Sequence, residues 1–482
     1  MKAAGASWRL VGLLAAAVVP AACGEGGSAG DDGSAVDATE DAEPDAATDE
    51  TDVEDDGDGS AGDPGDTPED DGGAPTTLSV LVTGSVWWAE SAPDPLPNAL
   101  VALDAPDGRR IERSTGPDGR VTFTDLDWTM GPAAVTAWSD GFAMASRLGI
   151  IAADGEIHLD VSKPYEFRPR FAVLHGWAAN MADDGHLLAV SATLPNTVFM
   201  YGGPEWWIEL VPLVPFTLVG AELSFASLPG PRSRGWEVFG WVVRERSGAV
   251  GWTEVDLDFA TTTAASTAHG SFALPPDRDG ALYSEGEGEL YVTTISSAQT
   301  AILGFETRAE LLPDESGFDY DVEWVAPAEV TDPLTLCWLG LSWPVGDPQR
   351  ETATVRVDGY PTDGPFPVPF LDAPRVLRPA DPVAGHPLAE PIVWELHDED
   401  ADVAIVLHRL DPDGIEDELL WTVVVPRGTT SAVVPELPLA LDPAVFFGTG
   451  GIDAYVMVSR TAASGAYIAQ ETRSQAFFVD PE

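Results

Sequence analysis

From residue 77 onward, apolar and polar positions alternate with a period of two. Val255, Leu257 and Phe259 interleave with Glu254, Asp256 and Asp258, and Ala353, Val355 and Val357 interleave with Thr354, Arg356 and Asp358. Such alternation belongs to half-buried strands of antiparallel sheets, one face in a core and the other in water. Turn signals punctuate the strands. Pro106-Asp107-Gly108, Pro117-Asp118-Gly119 and Pro412-Asp413-Gly414 each join a preset φ to a glycine free to take positive φ. No stretch of about twelve residues carries the 3.6-residue period of a helix. Many short strands with many turns predict an all-β chain of tandem antiparallel β-sandwiches, three to four units in number.

The N-terminus breaks the pattern. Lys2 and Arg9 precede an apolar run, Leu10–Val19, followed by Pro20-Ala21-Ala22-Cys23. The run has the length of a secretory h-region and is too short to span a bilayer. One reading is an ordinary secretory signal cut near Ala22. The other rests on Ala21, Ala22 and Cys23, which resemble the lipobox of bacterial lipoproteins, with Pro20 where that family usually has Leu. The resemblance implies a signal peptide at 1–22, lipidation of Cys23 and acylation of the new amino terminus. Several acyl chains are needed, because one alone gives only marginal membrane binding. It also implies a membrane partner at the cell envelope and, because Gly24 rather than Asp follows the cysteine, the outer membrane.

Composition changes the picture next. The 482 residues carry 24 Lys and Arg against 80 Asp and Glu, a net charge of −56. Such a field excludes nucleic acid as a partner, since phosphate contacts need Lys and Arg. The length exceeds the roughly 250–300 residues at which single cores stop growing, and past the N-terminus no run reaches the roughly 18 apolar residues of a membrane span. Positions 24–75 hold 20 acidic residues and no Lys or Arg. This composition cannot bury enough apolar surface to fold, so 23–76 is read as a disordered acidic tether. A flexible chain of that length spans about 40 Å. The remaining body, 76–482, still carries −38. Arginine outnumbers lysine 22 to 2, read as the mark of a high-GC genome.

Three or four units are expected in the body. In 77–162, Val82-Thr83-Gly84-Ser85-Val86, Pro95-Leu96-Pro97-Asn98-Ala99-Leu100-Val101 and the hairpin Thr115 to Phe123 precede Ala134-Val135-Thr136-Ala137 and Asp140-Gly141-Phe142. This stretch resembles the carboxypeptidase regulatory-like domain, a transthyretin-like (Cna-B-type) sandwich, with Asn98 where that family has Gly. The resemblance implies a structural or adhesive module without catalytic residues. Residues 383–482 resemble a fibronectin type III or immunoglobulin-like sandwich through Trp394, Leu437 and Tyr455. Between them, Leu274-Pro275-Pro276-Asp277 and Pro361 to Pro369 suggest β-rich units at 163–276 and 277–382, or one larger sandwich.

Candidate chemistry is sparse. The histidines are His158, His175, His186, His269, His386, His397 and His408. None makes an H-E-x-x-H pair or an i, i+4 pair on a helix, so spacing supports no zinc site. Asp398, Asp400 and Asp402 follow the alternate-ligand start of a calcium loop, with Val403 where such a loop needs Gly and Arg409 where it needs a bidentate Glu. The competing reading is a solvated acidic loop. Asp56-Gly57-Asp58 is a shorter match of the same kind. Gly26-Gly27-Ser28-Ala29-Gly30 fits the nucleophile-elbow pattern without the strand and helix that pattern needs. Trp87-Trp88 and Trp206-Trp207 are adjacent pairs, and strand neighbours point to opposite faces. One of each pair is therefore free to be exposed, and Trp206 or Trp207 beside the loop Gly202-Gly203-Pro204 is a candidate saccharide-stacking surface against the plainer reading of core tryptophan. Cys337 reads as a buried thiol. No P-loop, Rossmann or kinase motif occurs, and no catalytic residue is assigned. The expected role is structural, adhesive or binding toward a protein or polysaccharide, without cofactor unless calcium. The alternative is a carbohydrate-binding or hydrolytic protein with its site in 165–380.

Overall fold

The computed structural model describes residues 77–85, 94–162, 172–181, 186–191, 199–201, 205–210, 216–227, 234–246, 252–274, 287–296, 302–314, 316–326, 333–342, 350–366, 370–410, 417–448, 451–461, 469–474 and 476–481. Strands dominate the described residues. The helical pieces among them are two single 3₁₀ turns and the short helix Pro443–Phe447, capped by the Asp442 carboxylate. The period-two pattern thus forms strands as expected.

The first unit is a sandwich of two sheets. In one, Leu78–Ser85 is central. Arg120–Phe123 and Asp94–Pro95 pair antiparallel along one side, and Glu156–Ser162 pairs parallel along the other. In the other, the order is Arg110–Ser114, Leu100–Asp104, Ala133–Trp138, Met144–Ile150. Alternation sends Leu78, Val80, Val82, Val101, Leu103, Phe123 and Val135 into one core. Asn98 adopts φ 61°, a left-handed value that asparagine tolerates better than most residues.

Strand pairing continues across the expected unit boundaries. Met144–Ile150 pairs antiparallel with its neighbour in the first unit and parallel with Asp417–Val425 of the last. Its alternate side chains serve two cores: Ala145 packs with the first, Met144 with the last. At this seam the Trp421 indole donates to Ser146 Oγ at 2.8 Å, and the Ser146 and Thr136 hydroxyls share a hydrogen bond at 2.7 Å. Arg110 donates to the carbonyls of Glu436 and Leu437, and Glu112 accepts from the Leu439 amide. Gly149, at φ +69°, lies so close that a Cβ would stand 2.1 Å from Pro426 Cγ, so only glycine fits.

The same ladder runs on. Asp417–Val425 pairs with Asp402–Leu410, then Ile452–Thr461, Ala469–Arg473, Arg350–Asp358, Pro333–Ser342, Glu287–Ser296 and Ile302–Leu311. A single pair, Arg234 with Ala309, carries it into Arg234–Arg246 and Phe216–Ser227. The expected all-β sandwich architecture is what the strands form; pairing also links strands across the expected unit boundaries, and parallel pairs occur where sequence-distant strands meet, as at the seam. Parallel neighbours need a long crossover connection, which local periodicity does not encode.

Strand pairing also reaches across the sequence position of the first proline-rich break. Ser266–Ala273, placed before the expected boundary at 276/277, pairs over eight positions with Gly317–Trp324. Ala268 and Phe272 lie in that second middle core. Gly364 and Pro365 pair with Gly270 and Ser271, and Phe366 and Phe370 pack on Phe272 with centroids at 4.2 and 4.8 Å. Residues 364–366 and Phe370 thus help close a core around Phe272.

Candidate functional site

The residues chosen from sequence fall as follows. Cys23, Gly26–Gly30, Asp56-Gly57-Asp58 and Trp87-Trp88 lie outside the described residues. Cys337 sits on the strand Pro333–Ser342, opposite Val292 and Val355.

Trp206 is the clearest correction. On Glu205–Leu210 it stands opposite Gly176 of the neighbouring strand and is 2 % exposed. A Cβ at position 176 would come 3.2 Å from its ring and 1.9 Å from the Val255 carbonyl oxygen. Trp206 is a core anchor with no face for a sugar, because the alternation of this strand turns it inward. Trp207 pairs through its backbone with His175. Among the described side chains of this sheet, Trp177 is an exposed aromatic, 52 % accessible, which no sequence motif marks. Its amide donates to Asp256 Oδ1 at 3.0 Å, and Glu205 is its exposed cross-strand partner. A lone tryptophan on an alternating strand carries no sequence signal of which way it faces.

Two of the three acids of the candidate calcium loop are engaged by arginines, within an acidic loop. Asp398 is hydrogen-bonded to Arg460 and accepts the Asp400 amide at 3.0 Å. Asp402 is held by the Arg427 guanidinium at 2.7 and 3.2 Å. Asp400 is exposed. Among the described residues no group of three or more His, Cys, Asp or Glu side chains is placed to hold a metal ion.

Among the described residues, polar side chains gather around three of the histidines. The Thr83 hydroxyl lies 2.8 Å from His158 Nε2 and donates to Asp160 Oδ1 at 2.9 Å, bridging the parallel strands of the first unit. His269 Nδ1 meets Asp321 at 2.9 Å, and Asp321 reaches Arg308, which holds Glu310 at 2.6 Å. The third group lies on the last unit's sheet, on the face away from the core that holds Trp394. There His408 stacks on Tyr455 with centroids at 5.5 Å and shares a 3.2 Å hydrogen bond with its hydroxyl. The Arg473 guanidinium also lies over that ring, at 4.8 Å, and pairs with Glu471 at 2.9 Å. Burial, reinforced by the Arg473 cation, pushes the His408 pKa down to about 4. The other histidines are scattered: His397 approaches Asp372 at 3.3 Å, and His386 is buried edge-on to Phe477.

One further polar contact ties Arg234–Arg246 to Gly317–Trp324. The fully buried Trp241 donates its indole N–H to Glu323 at 2.6 Å, and burial raises the Glu323 pKa although that hydrogen bond opposes the shift.

No family model matches the chain, and no curated protein matches it. Among solved structures, the Bacillus anthracis TIE protein aligns at 8% identity and a TM-score of 0.16, covering 62% of this chain and 51% of that one. The chain thus spans about half of the TIE protein's length. The full-length major pilin SpaD from Corynebacterium diphtheriae aligns at 8% identity and a TM-score of 0.14, over 81% of this chain and 87% of its own. Three N-terminal domains of the bacteriophage RB49 Highly Immunogenic Outer Capsid protein (Hoc) align at 8% identity and 0.15, over 81% and 91%. At these scores no function passes from those proteins to this one.

Proposed function

We propose that the chain is a lipid-anchored protein of the bacterial cell envelope, at the outer membrane, whose stiff β-rich body serves as an adhesive or spacing element. Cys23 attaches it, and the acidic stretch 24–75 separates the body from the membrane. The observation that carries this reading is the multi-residue ladder from Arg110–Ser114 to Ile302–Leu311. A continuous sheet resists bending at the joints where separate modules would flex, and a rigid spacer needs that property. The test is fractionation with acyl labelling. The wild type partitions into membranes and takes up labelled fatty acid, and Cys23→Ala becomes soluble and unlabelled. Unchanged partitioning removes the anchor.

A second reading, saccharide binding within 165–380, is supported by Trp177. Its half-exposed ring beside Glu205 and Asp256 offers a stacking face next to carboxylate acceptors, the pairing that sugar rings use. Glycan-array binding lost in Trp177→Ala and kept in Trp206→Phe supports it. Binding indifferent to Trp177 refutes it.

A further inference from the structure

The chain enters its folded body on Leu78–Ser85 and leaves the first unit on Glu156–Ser162. These strands are parallel neighbours, in register from Ser79 with Glu156 to Ser85 with Ser162. Parallel neighbours put the entry point and the exit point at opposite ends of the pair. Tension between the two points therefore runs along the strands and loads every ladder bond at once. A hairpin pulled at its open end would instead lose its bonds singly, in succession. We propose that this strand pair is a mechanical clamp, which takes tension arriving through the N-terminal acidic segment and resists it in shear.

Three features support the clamp. The Thr83 hydroxyl ties the entry strand to two side chains of the exit strand, His158 at 2.8 Å and Asp160 at 2.9 Å. These ties lie across the pair, where sliding must stretch them. Beneath it, Val80 and Val82 interlock with Ile157, Leu159 and Val161, all essentially buried, so one strand cannot slide without opening close-packed contacts. The entry strand is also held on its far side by Arg120–Phe123 and Asp94–Pro95, and its Gly84 packs so tightly that a Cβ would stand 2.8 Å from the Phe142 ring. The inference rests on strand topology and holds whether or not Cys23 carries lipid.

Single-molecule pulling on the full chain tests it, with handles attached at bioorthogonal residues. Handles at 77 and 163 load the pair in shear. Handles at 86 and 163 load the same bonds from one end. The clamp requires a distinctly higher rupture force in the first geometry. Thr83→Val removes one or two hydrogen bonds of about 1 kcal/mol each, so rupture at fixed load in the first geometry quickens about five- to thirty-fold. An unchanged rate in that variant removes the Thr83 ties from the clamp. Equal rupture forces in the two wild-type geometries overturn it outright, a comparison that does not depend on the variant folding.

Discussion

The half-buried His408 makes the last unit sensitive to mild acid. Its pKa falls from 6.5 to about 4 because the ring is taken out of water and lies near the Arg473 cation at Tyr455. The unfolded chain binds this proton more readily than the folded one, so the neutral ring's contribution is intact above about pH 6.5 and is lost as pH falls toward 4. A displacement of two to three pKa units corresponds to about 3 kcal/mol in full, of which about 2 kcal/mol is gone by pH 5. The groups facing the ring fix the sign. Arg473 repels an imidazolium, Tyr455 offers only a hydroxyl, and Glu471 is already engaged by Arg473, while Asp453, directly opposite His408 in the ladder, is the carboxylate that opposes the shift. His408→Gln keeps a hydrogen-bonding group toward Tyr455 and removes the titration. Urea midpoints of wild type and variant, followed by tryptophan fluorescence at pH 7 and pH 5, isolate the effect, because carboxylates common to both proteins cancel in the difference. Wild type loses about 2 kcal/mol more than His408→Gln over that interval. Parallel pH profiles would show that the ring is hydrated or that its proton finds an acceptor, and the argument would fail.

Other consequences are independent of that one. Ser146→Ala leaves the Trp421 indole N–H and the Thr136 hydroxyl without their shared partner in a buried seam, and costs about 1–3 kcal/mol in denaturation. Hydrogen exchange then quickens at both Met144–Ile150 and Asp417–Val425, whereas a change confined to one strand would mean that the seam is not cooperative. Phe272→Ala opens the aromatic cluster of Tyr320, Phe366 and Phe370 and costs about 3–5 kcal/mol, read in the same way. Glu323→Gln keeps an acceptor for Trp241 while removing a charge that burial disfavours. The variant is therefore at least as stable as wild type at pH 7, and it lacks the gain that wild type makes as pH drops through the raised carboxyl pKa. Asp402→Asn breaks the largely exposed pair with Arg427 and lowers stability in thermal denaturation by no more than about 1 kcal/mol. Millimolar calcium leaves the melting midpoint where it was, and a calcium-dependent rise would restore the loop at Asp398–Asp402 as a cation site.

The all-β class was legible in the sequence because a strand's side-chain period is local. Val80, Val82 and the run Phe318, Tyr320, Val322 and Trp324 announce their buried face by alternation alone. The Asp-Gly turns are equally local, and Gly108 and Gly119 take the positive φ values that their positions imply. Trp394 shows its burial through the apolar alternation around it. Partnership was not legible. That Met144 packs with Trp421, that Ser266–Ala273 belongs with the strands after it, and that Trp206 rather than Trp177 is buried depend on which strand edge meets which. Every strand of this composition offers the same unsatisfied amides and carbonyls, so hydrogen bonding alone does not choose a neighbour. The choice is made by close approaches such as Gly149 on Pro426 and by side chains that fit only when sequence-distant strands are already side by side. The amino-acid order dictated where strands form and which face each one hides. Assembly in three dimensions decided which strands became neighbours, and so joined the first unit to the last.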